Sequence, residues 1–233
     1  MLGGAILITG TSRGLGNNLA KAYLDLGMNV VGCSRQKSTI DHSGYTHFIA
    51  DVSKEADVSS MVREIVSLKL PIHLLINNAS LTQSSLSVLT RAKNAEEIIL
   101  TNLLGSFLVS KEVLKVMQRQ RYGRIVNFSS INVPLGSIGS SLYNATKAGV
   151  DAMSRVFTSE CGSADITVNT LGLSLVSDTG MVQSLNTKAL KVKQNCLPKP
   201  NILSLDEIMH AINFFASPLS RNISSQTIYF GGV

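Results

Sequence analysis

Ala5-Ile6-Leu7-Ile8-Thr9-Gly10-Thr11-Ser12-Arg13-Gly14-Leu15-Gly16 is the stretch on which the fold turns. Its first five residues are an apolar run without polar alternation, as expected of a parallel strand covered on both faces. Glycines follow, and then Leu19, Ala20, Tyr23 and Leu24 recur at helical spacing. A strand, a glycine turn and a helix N-terminus together form a site for a pyrophosphate. Glycine lets the backbone approach the anion, and the free N–H groups and helix dipole face it. The candidate contacts are Gly10, Ser12, Arg13, Gly14, Leu15 and Gly16. The spacing is GxxxGxG rather than GxGxxG, and the competing reading is a tight turn with no ligand.

The rest of the chain repeats the alternation of strand and helix. Strands are predicted over residues 28–33, 46–50, 73–76, 124–129, 166–171 and 226–230. Helices are predicted after Ser53 as N-cap, with Val58, Met61, Val62, Ile65 and Val66 as the buried stripe, and over 95–117, 141–161 and 205–216. The 95–117 helix carries Asn102 in its interior, an unfavourable position that asks for an explanation, and Gly105 for close packing. Residues 178–193 are polar and read as a lid over the substrate. This order predicts an α/β fold: a Rossmann-type, doubly wound parallel sheet of about seven strands with helices on both faces. With no linker, repeat or low-complexity tract in view, residues 1–233 read as one domain.

The second strand ends in Ser34-Arg35, where an NAD site usually places an acid for the ribose 2′-hydroxyl. Arg35 and Arg13 in its place point to a 2′-phosphate, hence NADP(H); two solvated surface arginines are the alternative. Further along, Ser130 closes an apolar run, Tyr143 follows thirteen positions later and Lys147 four after that. Positions i and i+4 share a helix face, so the ammonium is expected beside the phenol, lowering its pKa. Tyr143 is then a candidate general acid for a carbonyl oxygen, with Ser130 hydrogen-bonding the same oxygen.

Composition narrows the classes. Of 233 residues 44% are hydrophobic, 15% charged and 5% aromatic, with net charge +6. That suits a compact domain and an anionic cofactor or carrier. Scattered basic residues without aromatic interleaving argue against nucleic acid. Three cysteines without CxxC spacing suit a reducing compartment, and dispersed histidines give no metal site. No run reaches the roughly 18 apolar residues of a membrane span, so a cytoplasmic protein is expected.

The ordered set TGTSRGLG, Asp51-Val52, Asn77-Asn78-Ala79-Ser80, Asn102, Ser130, Tyr143 and Lys147 resembles the short-chain dehydrogenase/reductase family along nearly the whole chain. Within it the chain looks most like the 3-oxoacyl-[acyl-carrier-protein] reductase branch. The resemblance implies that Tyr143 protonates the carbonyl oxygen as hydride arrives and that Ser130 orients that oxygen. It further implies that Lys147 holds the nicotinamide ribose, and that Asn102 holds a water linking the lysine to solvent. Asp51 and Val52 would contact the adenine, Asn78 would steady the central strands around the cofactor with Ala79 beside it as a cofactor contact, and Thr179, a further cofactor contact, would match the family's Thr-x-Met with Met181. Two positions depart from the family: Ser80 stands where glycine is usual, and Leu173-Ser174 where Pro-Gly is usual.

The implied activity is NADPH-dependent reduction of a ketone, a 3-oxoacyl thioester or similar, small or carrier-bound. A sugar, polyol or secondary-metabolite oxidoreductase is the alternative, and a cofactor-binding sensor a third. A homo-oligomer, dimer or tetramer, is expected through the long helices, whose small residues include Gly105, Ala145, Ala148 and Gly149.

Overall fold

A computed structural model describes residues 4–177, 191 and 194–233. Seven strands form one sheet: β1 Ala5–Thr9, β2 Val30–Ser34, β3 Tyr45–Ile49, β4 Ile72–Asn77, β5 Tyr122–Ser130, β6 Asp165–Leu173 and β7 Thr227–Tyr229. Their spatial order is β3-β2-β1-β4-β5-β6-β7 and every pairing is parallel. The chain therefore winds outward from β1 in both directions, leaving a switch point between β1 and β4 where such sheets hold ligands.

Alternation along β1 shows why the run is wholly apolar. Ile6 and Ile8 enter one core with Leu19 and Tyr23 of α1 (Gly14–Asp25) and Ile212 and Phe215 of the last helix. Ala5 and Leu7 enter the other, with Met61 and Ile65 of α2 (Glu55–Ser67) and Val113 and Met117 from beyond it. Successive strand residues point to opposite faces, so a strand covered on both sides has no solvent face on which to place polar residues.

Further helices among the described residues include α3 (Ala92–Ile99), α4 (Gly105–Gln120), α5 (Asn132–Leu135), α6 (Ser141–Glu160) and α7 (Leu205–Ala216). The helix predicted over 95–117 thus begins earlier and is interrupted. Residues Leu100–Leu104 form a π-helical turn between α3 and α4, with Asn102 in it. Two further expectations are corrected. Lys54, not Ser53, is the N-cap of α2, because the Ser53 hydroxyl donates to Asp51 Oδ1 at 2.7 Å. Val66 lies off the buried stripe and is exposed. Gly105 and Gly149 pack inside the chain: a Cβ on Gly105 would press on Val52, and one on Gly149 on Leu103. Ala145 and Ala148 do face solvent.

A buried polar ladder seats α6 on the sheet. Asn77 donates to Asn127 Oδ1 at 2.7 Å across β4 and β5, Asn127 donates to Ser154 Oγ at 2.8 Å, and Thr170 of β6 donates to the same hydroxyl at 3.2 Å. Hydrogen bonds between buried side chains of this kind fix register as well as position. Among the described residues, no helix is long and apolar enough to cross a membrane.

Candidate active site

At the switch point the chain ends of β1 and β4 are stitched together. Thr9 Oγ1 accepts from the N–H groups of Asn78 and Ala79, each at 3.0 Å. The Asn78 side chain returns a bond to Thr9 O at 2.8 Å. Gly10 takes φ +77°, a left-handed conformation glycine adopts without strain. A Cβ on Gly16 would collide with the Asn78 amide and Gly10 O, so only glycine lets α1 start this close to the turn. No side chain caps α1, and its first turn has no acidic residue. Its first N–H groups lack intrahelical partners, so the start of α1 presents donors to an anion, while the N–H groups of Gly10 and Thr11 both donate to Cys33 O at 2.8 and 3.2 Å.

At the end of β2, Arg35 is exposed, as is Arg13 in the turn. Asp51 follows β3. Burial raises its pKa, but bonds from Ser53 and the charges of Arg35 and Lys54 outweigh that and hold the carboxyl below its ordinary range. Between these lies a polar chain that periodicity did not reveal. Tyr45 OH donates to Thr11 Oγ1 at 2.9 Å and lies 2.9 Å from His47 Nδ1, while His47 Nε2 lies 2.9 Å from Gln36 O. Its one sequence signal is the Tyr-x-His spacing, which puts both rings on one face of β3.

Beyond β5 the candidate reacting groups gather. Ser130, Tyr143 and Lys147 are 7%, 7% and 4% exposed, and the Lys147 Nζ sits 5.7 Å from the centre of the Tyr143 ring. Lys147 donates to Phe128 O at 2.7 Å. Asn132 N–H donates to Ser130 Oγ at 3.2 Å. Gln83, which sequence reasoning missed, reaches from the segment after β4 to accept from Leu142 N and Tyr143 N at 2.9 and 3.2 Å. It thereby serves the start of α6, where Ser140 makes no side-chain cap. This pairing spans about sixty residues, so no local pattern encodes it.

Asn102 is fully buried. Its Oδ1 accepts from Leu81 N at 2.7 Å, and its Nδ2 donates to Leu81 O at 2.8 Å and to Thr146 Oγ1 at 3.2 Å. The amide thus ties the π turn to the segment after β4 and to α6 beside Lys147. π turns are costly and recur at functional sites.

The electrostatics correct one expectation. Burial pushes the Tyr143 phenol above its ordinary value, opposed by a hydrogen bond with Ser130. Burial likewise pushes Lys147 down to about 8, with Asp151 opposing. Loss of water favours the neutral form of both groups, and here it outweighs the lowering of the phenol that the i+4 spacing predicts. The two family departures are also placed. Ser80 is exposed, and Leu173 O accepts from Ile131 N at 3.1 Å while Ser174 Oγ is buried without a partner. Thr179, Met181 and, apart from Lys191, the 178–193 segment lie outside the described residues. Among the described residues no group of three or more His, Cys, Asp or Glu could hold a metal ion.

The family model for short chain dehydrogenase matches residues 4–190. The chain is 31% identical over 236 residues to the 3-oxoacyl-[acyl-carrier-protein] reductase FabG of Buchnera aphidicola, covering 97% of this chain and 95% of that one. To the FabG of Staphylococcus epidermidis it is 32% identical over 237 residues, covering 97% and 96%. Among solved structures, ElxO with NADP bound superposes with a TM-score of 0.89 at 24% identity, covering 98% of this chain and 97% of that one. A short-chain dehydrogenase from Leptospira borgpetersenii with bound NAD+ gives 0.90 at 19% identity, covering 98% and 91%.

Proposed function

The chain belongs to the short-chain dehydrogenase family and is an oxidoreductase of CH–OH and C=O groups; from that premise we propose that it is an NADPH-dependent ketone reductase. The observation that carries this reading is the gathering of buried Ser130, Tyr143 and Lys147 beside an uncapped, acid-free helix start. Those residues fit a nicotinamide dinucleotide. The N–H groups at the start of α1 would hold the pyrophosphate against the glycine turn, Arg13 and Arg35 the 2′-phosphate, and Asp51 and Val52 the adenine. Asn78 and Ala79 would line its path, and Thr179 its nicotinamide end. The bound nicotinamide supplies the hydride.

The side chains do the rest. Tyr143 gives its phenolic proton to the substrate oxygen, and Ser130 orients that oxygen by hydrogen bonding. Lys147 holds the ribose hydroxyls and favours return of the proton to the phenol's oxygen from solvent. Asn102 keeps Leu81 and Thr146 in place around the lysine, at the point where a water would join it to bulk solvent. Relatives named as FabG reduce 3-oxoacyl groups on acyl carrier protein, and we infer a 3-oxoacyl thioester or a similar carbonyl here. Support comes from the rim of the site: Leu86, Val88, Leu89 and Ile138 are 50%, 89%, 70% and 90% exposed. They lie on two segments joined by Ser85 N donating to Gly139 O at 3.2 Å. An apolar rim suits an acyl chain better than a sugar or polyol.

We further infer a single domain working as a homo-oligomer, a dimer or tetramer. The exposed Phe107, Val156, Ala145 and Ala148 on α4 and α6 favour it. Cys33, Cys161 and Cys196 form no disulfide among the described residues, and we infer a reducing compartment such as the cytoplasm. The test compares reduction of acetoacetyl thioester with NADPH or NADH against oxidation of sugars and polyols with NADP+ or NAD+. Preference for the thioester with NADPH supports the reading, and preference for a polyol with NAD+ overturns it.

A further inference from the structure

We propose that Asp151 is a positioning residue for Lys147: its carboxylate, held from β5 and β7, sets the charge on the lysine that the reaction uses. This rests on the role given to Lys147 above. Asp151 lies one turn beyond Lys147 on the same face of α6, and the two are 7% and 4% exposed. Its Oδ2 accepts from Ser129 Oγ at 3.2 Å and from Tyr229 OH at 2.8 Å. Its Oδ1 is buried and has no hydrogen-bond partner among the described residues. A buried carboxylate oxygen with no donor is costly unless a cation nearby compensates, and Lys147 is the buried cation on that face.

Tyr229 reaches the carboxylate by a route built for it. β6 lies between β7 and β5, and a Cβ at Gly172 of β6 would run into the Tyr229 ring. With no side chain there, the phenol crosses the strand and donates to Asp151. Ser129, next to Ser130 but on the other face of β5, donates from below and also lies 3.4 Å from Lys147 O. Tying α6 to β7 needs no ionisable residue, and a neutral amide would do it without the cost of a buried charge. A carboxylate there has a use when its charge acts on Lys147.

The charged and titratable groups around the pair act in a consistent direction. Burial raises the Asp151 carboxyl, opposed by Tyr229, Ser129, Arg155 and Lys147. Burial lowers Lys147 and Asp151 opposes it; Tyr143 stands one turn before the pair on α6 and Arg155 one turn after it. Removing the carboxylate therefore makes Lys147 release its proton at lower pH.

The experiment measures Asp151→Asn in two ways. In turnover of acetoacetyl thioester with NADPH, the alkaline limb of kcat should move down by about one pH unit, as expected for losing a neighbouring opposite charge. In chemical unfolding followed against pH, a lysine lowered in the folded state makes stability rise as pH climbs from its folded toward its unfolded value. For the wild type that rise begins near pH 8. It should begin lower in Asp151→Asn and be absent in Lys147→Met. Tyr229→Phe, which keeps the ring over Gly172, should shift both readouts in the same direction by less. Lowered stability with both pH dependences unmoved in Asp151→Asn and Tyr229→Phe means the aspartate is only a tie, and overturns the proposal. If the wild type reduces no ketone, the reading of the reaction fails, and the unfolding curves still decide whether Asp151 sets the lysine's charge.

Discussion

The Asn78 side chain donates to Thr9 O at 2.8 Å and to Gly10 O at 3.3 Å, so the end of β4 clamps the glycine turn that follows β1. The clamp leaves no room for a side chain at Gly16. Gly16→Ala is expected to cost about 1–3 kcal/mol, the usual range for overpacking, and to weaken NADPH binding at least about tenfold because the turn must shift. Denaturant midpoints and a fluorescence titration with NADPH check this. An unchanged dissociation constant would mean the turn does not contact the nucleotide.

Arg35 stands where an acid would bind a ribose 2′-hydroxyl. Replacing it with aspartate should lower the preference for NADPH over NADH by on the order of ten- to a hundredfold, the worth of one charge-assisted hydrogen bond. Ratios of kcat/KM for the two cofactors measure it. A preference that survives the exchange would assign Arg35 to the solvent.

Asn102 satisfies both backbone groups of Leu81. Asn102→Ala strands them, at a cost of about 1–3 kcal/mol per buried group left unpaired, and frees Thr146 beside Lys147. Stability and kcat should therefore fall together, read from urea midpoints and steady-state rates. Loss of stability alone would confine Asn102 to a structural role.

Ser204 and Glu207 form a capping box at the start of α7, and both side chains spend their hydrogen bonds on that helix end. Ser204→Ala should cost about 1 kcal/mol and leave kcat and KM within twofold. Thermal unfolding and the same assay test it, and a large loss of activity would show that α7 is coupled to the site.

Burial holds the Tyr143 phenol above its ordinary 10.0 and Lys147 near 8. The phenol thus stays protonated as pH rises while the lysine loses its charge. Ketone reduction should decline as pH passes through about 8, with the decline assigned to Lys147 by kcat–pH profiles. A decline seen only above 10 would assign it to Tyr143 instead.

Much of this was legible in residue order because it is local. An apolar run of five gave β1 its bounds, and the helix predicted over 205–216 is α7 with the same bounds. Strand ends were underestimated where polar residues continue the ladder: β5 starts at Tyr122 and β6 at Asp165, each paired with the other. The π turn at Leu100–Leu104 leaves no mark on helical periodicity, since it inserts a single wider turn into an otherwise regular pattern. The candidates Ser130, Tyr143 and Lys147 are picked out by spacing together with the family resemblance, but their charge states are not, because burial sets them. Gln83 at the start of α6, Tyr45 with Thr11, and Tyr229 with Asp151 are partners distant in sequence, joined only by the sheet.

The most direct test compares the wild type with Tyr143→Phe, measuring NADPH affinity and turnover of acetoacetyl thioester side by side. The account predicts affinity within a few-fold of wild type and a loss in kcat of about 10²–10⁴, the usual worth of a positioned general acid. Tyr143→Phe turning over at the wild-type rate would contradict it, because the proton would then come from another group.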